Sequence, residues 1–449
     1  MNFAVVFIMK DSKQLYLDLR KQVDDIRIFD THEHLIQEKE RTSKKIDLFE
    51  TILAHYASSD LVSSGMPQED LDTIRNPRHP IENRWEIFKP YWERIQNTGY
   101  ARALNIAFRD LYSVNELNDE SYLKLVSRME KTNKPGVYKW ILKEKSGVDL
   151  SILDSLSAPL EDVDREFFAP VKRFDDFVMA KERTDFDSLG KRCGKSIHSF
   201  SDLVNALELE FEKASKMIVG VKIGLAYLRS LRFNKVSEKE AEEVFVNVFN
   251  REFFRREVSN AKVKRTPDGL SLGETKPFQD FMVHKIIQLA AGKGLPIQIH
   301  TGIHEGNENI ITNSKPTNLI NIFREYKEAK FDIFHGSYPY IGELAVLAKN
   351  FPNVYIDMCW LHIISPHGAR QALAEWLDTV PWNKIFGFGG DYIFAEGVYG
   401  HSVIAKENIS RVLVEKVEEG SFTEKQAVTL AQKLLKDNAY DLFFPEKQK

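Results

Sequence analysis

The sequence predicts an α/β protein built as a (β/α)8 TIM barrel, with a helical insertion after the first strand. Three observations predict it. Eight short apolar runs recur along the chain, helical patterns separate most of them, and a histidine or aspartate follows several of the runs directly. Strands alternating with helices form a parallel sheet, and eight such units close into a barrel.

The runs lie at 26–29, 148–153, 167–173, 217–223, 295–299, 331–334, 354–358 and 385–388. A helix over 12–23, with Leu15, Leu19 and Val23 four apart, leads into the first. Helical spacing over 48–56, 81–98, 100–112 and 120–131, punctuated by Gly65, Pro67, Pro77 and Pro80, marks the insertion at about 36–145. Further helices are expected over 280–291, 318–329, 342–350 and 369–377. The chain therefore divides into an N-terminal extension and helix over 1–25 and a barrel over 26–449. Trp85, Tyr91, Trp92, Tyr100 and Trp140 enrich the insertion in aromatics, which read as packing rather than as a ligand cage.

Composition narrows the partners. With 43% hydrophobic and 29% charged residues, the 449-residue chain can bury a large core and is not a disordered segment. A net charge of −4 without a basic stripe argues against nucleic acid. The two cysteines, Cys193 and Cys359, are far apart and outside any CxxC pattern, which fits a reducing compartment and argues against a disulfide framework or thiolate zinc. Cys359 reads as a small buried hydrophobe. The apolar run over 3–9 is too short to cross a bilayer and reads as a frayed extension, so a cytoplasmic protein without membrane partners is expected. A homo-oligomer remains compatible with the sequence.

The chemistry lies at the strand ends. His32 and His34 are two residues apart, so on a strand they share a face while Glu33 turns away. His300 follows the fifth run, His335 the sixth and Asp391 the eighth. In a barrel these ends meet at one face, where active sites are built. Imidazoles with a carboxylate suit zinc, with manganese or iron as alternatives. The competing reading is a set of independent buried histidines.

An HxH on strand one, His300, His335 and Asp391, in that order, resemble the amidohydrolase superfamily and its amidohydrolase-related branch, which includes a carboxymuconate-semialdehyde decarboxylase. The stretches 300–302, 335–340, 354–357 and 389–391 also resemble the N-terminal domain of fungal FluG-type and plant nodulin-type proteins, whose synthetase-like half has no counterpart here. Uronate isomerases, which carry a large segment after strand one, are a further relative. The resemblance implies a metal-dependent hydrolase fold in which His32, His34, His300 and Asp391 are metal ligands. His335 binds a second metal or takes part in catalysis. Lys222 is a carbamate bridge, a grip on a substrate carboxylate or a structural ion pair, and one metal is the default.

From this follows a metal-activated water attacking a small, carboxylate-bearing substrate, with Asp391 as general base and His335 and Lys222 as further catalytic groups. Decarboxylation and isomerisation use the same parts. A binding or scaffold barrel is the alternative from another class. Arg173 and Arg229, just past candidate strands, offer bidentate contacts to a carboxylate or are surface arginines. His304, Trp360 and His362 lie in strand-end loops that line the pocket, while His367 and His401 read as solvated or capping. Gly387, Gly389 and Gly390 suit close backbone approach near a metal.

Overall fold

A computed structural model describes residues 11–156, 158–250 and 272–445; the apolar run over 3–9 lies outside them. The eight strands are β1 (Ile28–Glu33), β2 (Val148–Asp154), β3 (Phe168–Arg173), β4 (Gly220–Ile223), β5 (Ile297–Ile299), β6 (Phe331–Ile333), β7 (Val354–Asp357) and β8 (Ile385–Phe386). They pair in parallel in the order β1 to β8. The two edges meet where Thr31 N–H donates to Phe388 O at 3.1 Å and Asp391 N–H to His32 O at 2.8 Å. The expected (β/α)8 barrel is therefore present.

β1 starts and ends later than its apolar run. It runs through Asp30, Thr31 and His32 because their backbone pairs with β2 on one side and with the stretch after β8 on the other. Inside the barrel, Lys222, Gln298 and Asp332 occupy adjoining register positions on β4, β5 and β6. All three are buried. Gln298 Nε2 donates to Asp332 at 3.1 Å and to Thr31 O at 2.9 Å, and Ser151 donates to Asp30 at 2.8 Å. Such a polar interior survives only if its groups are paired.

Between β1 and β2 the described chain is helical, including Leu48–Ile52, Ala57–Ser63, Gln68–Arg75, Ile81–Ile95, Gly99–Tyr112 and Tyr122–Thr132. Trp85 stacks on Tyr122 at 4.7 Å and Phe88 on Trp92 at 5.6 Å, so these aromatics are packing. Tyr100 packs as well, but toward the strand ends, 5.3 Å from the Tyr56 ring and 5.8 Å from the Tyr392 ring. The helix expected over 48–56 spans only Leu48–Ile52, because Arg75 Nε takes the Leu53 carbonyl at 3.0 Å and the chain turns there before the next helix at Ala57. That turn carries His55 and Tyr56 toward Trp360.

The helical region is fastened to the helix Ala395–Glu418. A β-carbon at Gly400 would lie 2.0 Å from Ala103 O, so the two helices touch backbone to backbone. Arg41 clasps Glu396 with both Nη atoms at 2.9 and 2.6 Å, and the Tyr112 hydroxyl donates to the same carboxylate at 2.6 Å. The helix Ser12–Asp24 joins them through Lys406, whose Nζ donates to Asp24 O and Ile26 O at 2.9 Å each. The helix expected over 318–329 spans only Ile320–Glu325, since Asn353 Nδ2 donates to the carbonyls of Phe323 and Tyr326 at 3.1 and 2.9 Å and ends it. Among the described residues no helix is long and apolar enough to cross a membrane.

Candidate metal centre

Three ligand atoms meet at the junction of β1 and β8. His32 Nε2 and His34 Nε2 are 3.2 Å apart, and each is 3.4 Å from Asp391 Oδ1. A tetrahedral zinc site with bonds of about 2.0–2.1 Å has ligand-to-ligand edges of about 3.3 Å. The triangle thus has the dimensions of one tetrahedral face, with the fourth vertex left for water or substrate. The imidazole tautomer points the same way. His34 Nδ1–H donates to Asp154 O at 2.8 Å, so its Nε2 carries a lone pair toward the other two atoms.

Burial keeps these groups in metal-binding form. It pushes His32 well below the ordinary histidine range, helped by Lys222, and it lowers His34 against the pull of Asp154 and Asp391. The same burial raises Asp391, which His34, Lys222 and Arg173 hold back. Neutral imidazoles beside a carboxylate fit a divalent cation, and the donor set suits zinc, manganese or iron alike.

The second pair of expected histidines stands across Asp391 from the first. His335 Nε2 is 4.0 Å from Asp391 Oδ2 and 2.9 Å from His300 Nδ1. His300 therefore faces His335 and is not a corner of the first triangle, as the sequence had implied. Cys359, read as an inert hydrophobe, places its sulfur within 4.8 Å of ligand atoms of His335 and Asp391. Nothing in its spacing signalled this, because the tight turn after β7 alone brings it there.

Lys222 is buried with Nζ 3.4 Å from His32 Nε2 and 3.7 Å from the centre of the Phe334 ring. Burial first, and Arg173 next, bring its pKa down to about 8. Arg173 binds Asp154 Oδ2 through Nε at 2.6 Å and Nη2 at 2.5 Å; its side chain stays 32% exposed and its Nη1 makes no hydrogen bond among the described residues. It can still reach an anion beside the cluster.

Arg229 corrects the expectation. Its guanidinium is fully buried and spent on Asp280 Oδ1 at 2.5 Å and Gln279 Oε1 at 2.9 Å, a structural ion pair with no donor left to grip a substrate. His362 is likewise structural, with Nε2 on Gly387 O at 2.9 Å and Nδ1 beside the Asn408 amide. His401 is buried, not solvated, and its Nδ1 meets Gly390 O at 3.2 Å. His367 is exposed.

A roof of polar-tipped rings closes the cluster. Trp360 stands edge-on to His335 at 5.3 Å and lies against Tyr56 at 3.5 Å. His304 lies parallel to His300 at 5.2 Å, 4.8 Å from the Tyr227 ring, and neither of its buried ring nitrogens has a hydrogen-bond partner. Trp360 and His304 thus lie against His335 and His300 at the strand ends. Tyr56, Tyr100 and Tyr227 were not singled out as wall residues, and only the fold of the helical region and the turn after β4 brings them in. His335, Trp360 and Asp391 all have left-handed backbones, with φ of 63°, 61° and 57°, and such strained non-glycine residues gather at functional sites. A β-carbon at Gly390 would lie 1.7 Å from Glu33 Oε1, so glycine there admits the Glu33 carboxylate, which in turn accepts Tyr392 N–H at 2.8 Å.

A family model described as "Amidohydrolase" matches residues 254–444. Over that stretch, less than half of the chain, the sequence is similar to amidohydrolases. Protein fluG of Emericella nidulans is 27% identical to this chain over 236 residues, or 51% of the chain and 26% of that protein, so the chain spans about a quarter of its curated relative. A uronate isomerase from Thermotoga maritima shares the fold with a TM-score of 0.78 at 17% identity, covering 99% of this chain and 100% of its own. A glucuronate isomerase from Caulobacter crescentus does so with a TM-score of 0.76 at 17% identity, over 98% and 95%. A proposed metal-dependent hydrolase from Lactobacillus casei follows with 0.61 at 17% identity, over 96% and 98%. The family match supports an enzyme.

Proposed function

We propose that this chain is a metal-dependent hydrolase of the amidohydrolase superfamily acting on a small, carboxylate-bearing substrate, with its cation held by His32, His34 and Asp391. The observation that carries the reading is the triangle of edges 3.2, 3.4 and 3.4 Å around two neutral imidazoles and one carboxylate. A cation bound there supplies a Lewis acid for the substrate carbonyl and lowers the pKa of a water. The chain's own residues do the rest. Asp391 accepts the proton of the attacking water and returns it to the leaving group, since its Oδ2 faces away from the His32–His34 side. Lys222, its pKa brought down to about 8 by burial, stands beside His32 as a second proton carrier or, as an ammonium, as a partner for a substrate carboxylate. Arg173 Nη1 orients that carboxylate, and the Tyr56, Trp360 and His304 wall excludes water from the reacting atoms.

Isomerisation of a uronate is the second reading. It is favoured by fold similarity to uronate isomerases that extends over 99% of the chain and so includes the helical region between β1 and β2. We read that region as an insertion into one barrel over 26–449, preceded by an extension over 1–25. Incubating the metal-loaded protein with lactones, amides, aromatic carboxylates and uronates separates the readings. Release of acid from a lactone or amide supports hydrolysis, while aldose-to-ketose conversion of a uronate without net water uptake replaces it. A chelator-treated protein that stays folded, binds no added cation and turns over nothing makes the chain a binding barrel instead.

A further inference from the structure

Gly224 follows β4 directly, and its backbone gives no reason for a glycine. Its φ of −106° and ψ of 16° lie in a region that residues with side chains also occupy, so space rather than conformation accounts for it. A β-carbon there would lie 2.8 Å from Arg173 Nη1 and 3.3 Å from Arg173 Cζ. The guanidinium therefore rests against the bare Cα. Arg173 ends β3 in register with Lys222, which brings its side chain to the residue two further along β4. Its Nε and Nη2 are taken by Asp154, so Nη1 is the nitrogen that Gly224 admits. Asp175 fixes the other half of the contact: its Oδ2 accepts Gly224 N–H at 2.8 Å and would stand 3.2 Å from the same β-carbon. Burial raises the Asp175 carboxyl to about 6 while Arg173 pulls it back.

We propose that Gly224 is the specificity-determining position for the substrate carboxylate, because its missing side chain lets Arg173 Nη1 aim at the anion, and that Asp175 is the positioning residue that holds the Gly224 backbone under the guanidinium. The inference deepens the reading of Proposed function and rests on its Arg173 contact. One free donor between two protein carboxylates suits a single negative charge, so the subsite takes a monocarboxylate. A side chain at position 224 presses Nη1 out of line. The cation triangle does not feel that shift, since His34 is tethered by the Asp154 carbonyl and not by the carboxylate that holds Arg173.

Binding tests this without turnover. The zinc-loaded full-length protein is titrated calorimetrically with benzoate and with its neutral counterpart benzamide, and zinc content is measured for each variant. The wild type should bind benzoate more tightly than benzamide. Gly224→Ala should weaken benzoate roughly tenfold, spare benzamide and keep its zinc. Arg173→Met should do the same, and the double variant should lose no more than Arg173→Met alone. Asp175→Asn keeps an acceptor for Gly224 N–H and removes a like charge, so it should bind benzoate at least as tightly as the wild type. Asp175→Ala removes the acceptor and should weaken benzoate; this pair carries the test if Gly224→Ala folds poorly. Benzoate binding unchanged in Gly224→Ala, an equal loss for benzamide, or equal behaviour of the two Asp175 variants overturns the inference. A wild type that does not prefer benzoate overturns it together with the Arg173 contact and leaves the cation site standing. A wild type that retains no zinc overturns the cation reading alone, because the benzoate comparison is then made on the metal-free protein.

Discussion

At the seam between β1 and β8, backbone bonds tie the ligand-bearing stretches directly to each other, whereas at the β5–β6 side the His300 and His335 rings are each oriented by a side-chain bond to a carbonyl. Asp391 N–H is tied to His32 O, Tyr392 N–H to Glu33, and Gly390 N–H to Asp30 Oδ1 at 3.0 Å. Movement of Asp391 would therefore break several bonds at once, and its ligand atom stands at a spacing a cation already fits. The His300 backbone is also held by Ile223 O at 3.2 Å, so only the orientation of the His300 and His335 rings rests on one carbonyl each, with their facing nitrogens 2.9 Å apart. Preorganisation belongs to the first seam and adjustability to the second.

The largest break in that comparison comes from the first seam. His32→Ala should lose its bound cation and all measurable turnover together, as read by elemental analysis and assay; stoichiometric metal with intact activity would remove the strand-one pair from the site. Asp391→Asn keeps side-chain volume, so the melting temperature should hardly move while kcat falls roughly 10²–10⁴-fold. Full activity in that variant would leave the reaction without the base assigned here.

Arg173 and Arg229 sharpen the same contrast at smaller scale. Arg173 ends β3 and Arg229 lies beyond β4, yet one side chain is 32% exposed and the other 0%. Arg229→Met should lower stability by about 3–5 kcal/mol, because it strands Asp280 in the interior, and should leave KM alone. Arg173→Met should raise KM for carboxylate substrates about tenfold and spare neutral ones. A reversed pattern, measured by denaturant unfolding and steady-state kinetics, would exchange their roles.

The smallest effect is on pH. Burial drives His32, His300 and His335 well below the usual histidine value, so the fold holds them neutral while the unfolded chain protonates them near pH 6.5. The unfolded state then binds more protons at low pH, and stability is full above that value and falls as pH drops below it. Melting of the metal-free protein should therefore shift downward between roughly pH 7 and pH 5. A flat profile would mean that the histidines are already protonated in the fold.

How much was legible follows from how local each signal is. The order of strands and helices, and the placing of His32, His34, His300, His335 and Asp391 at strand ends, can be read from apolar runs and the residues next to them, because a strand's length and face are local properties. Which ligand atoms share one cation is not local. His300 was grouped with the first pair, yet the turn after β5 aims its Nδ1 at His335. Cys359 looked inert until the turn after β7 brought it beside Asp391, and Tyr56 gained its place only where Arg75 interrupts a helix. Arg173 and Arg229 were indistinguishable as letters after a strand, since what separates them is Asp280, fifty-one residues beyond Arg229 along the chain. Sequence by itself determined the barrel and the kinds of group at its mouth, through short-range periodicity. Tertiary structure alone decided their partners, because hydrogen bonds and metal-ligand geometry depend on distances that the chain sets only when it closes on itself.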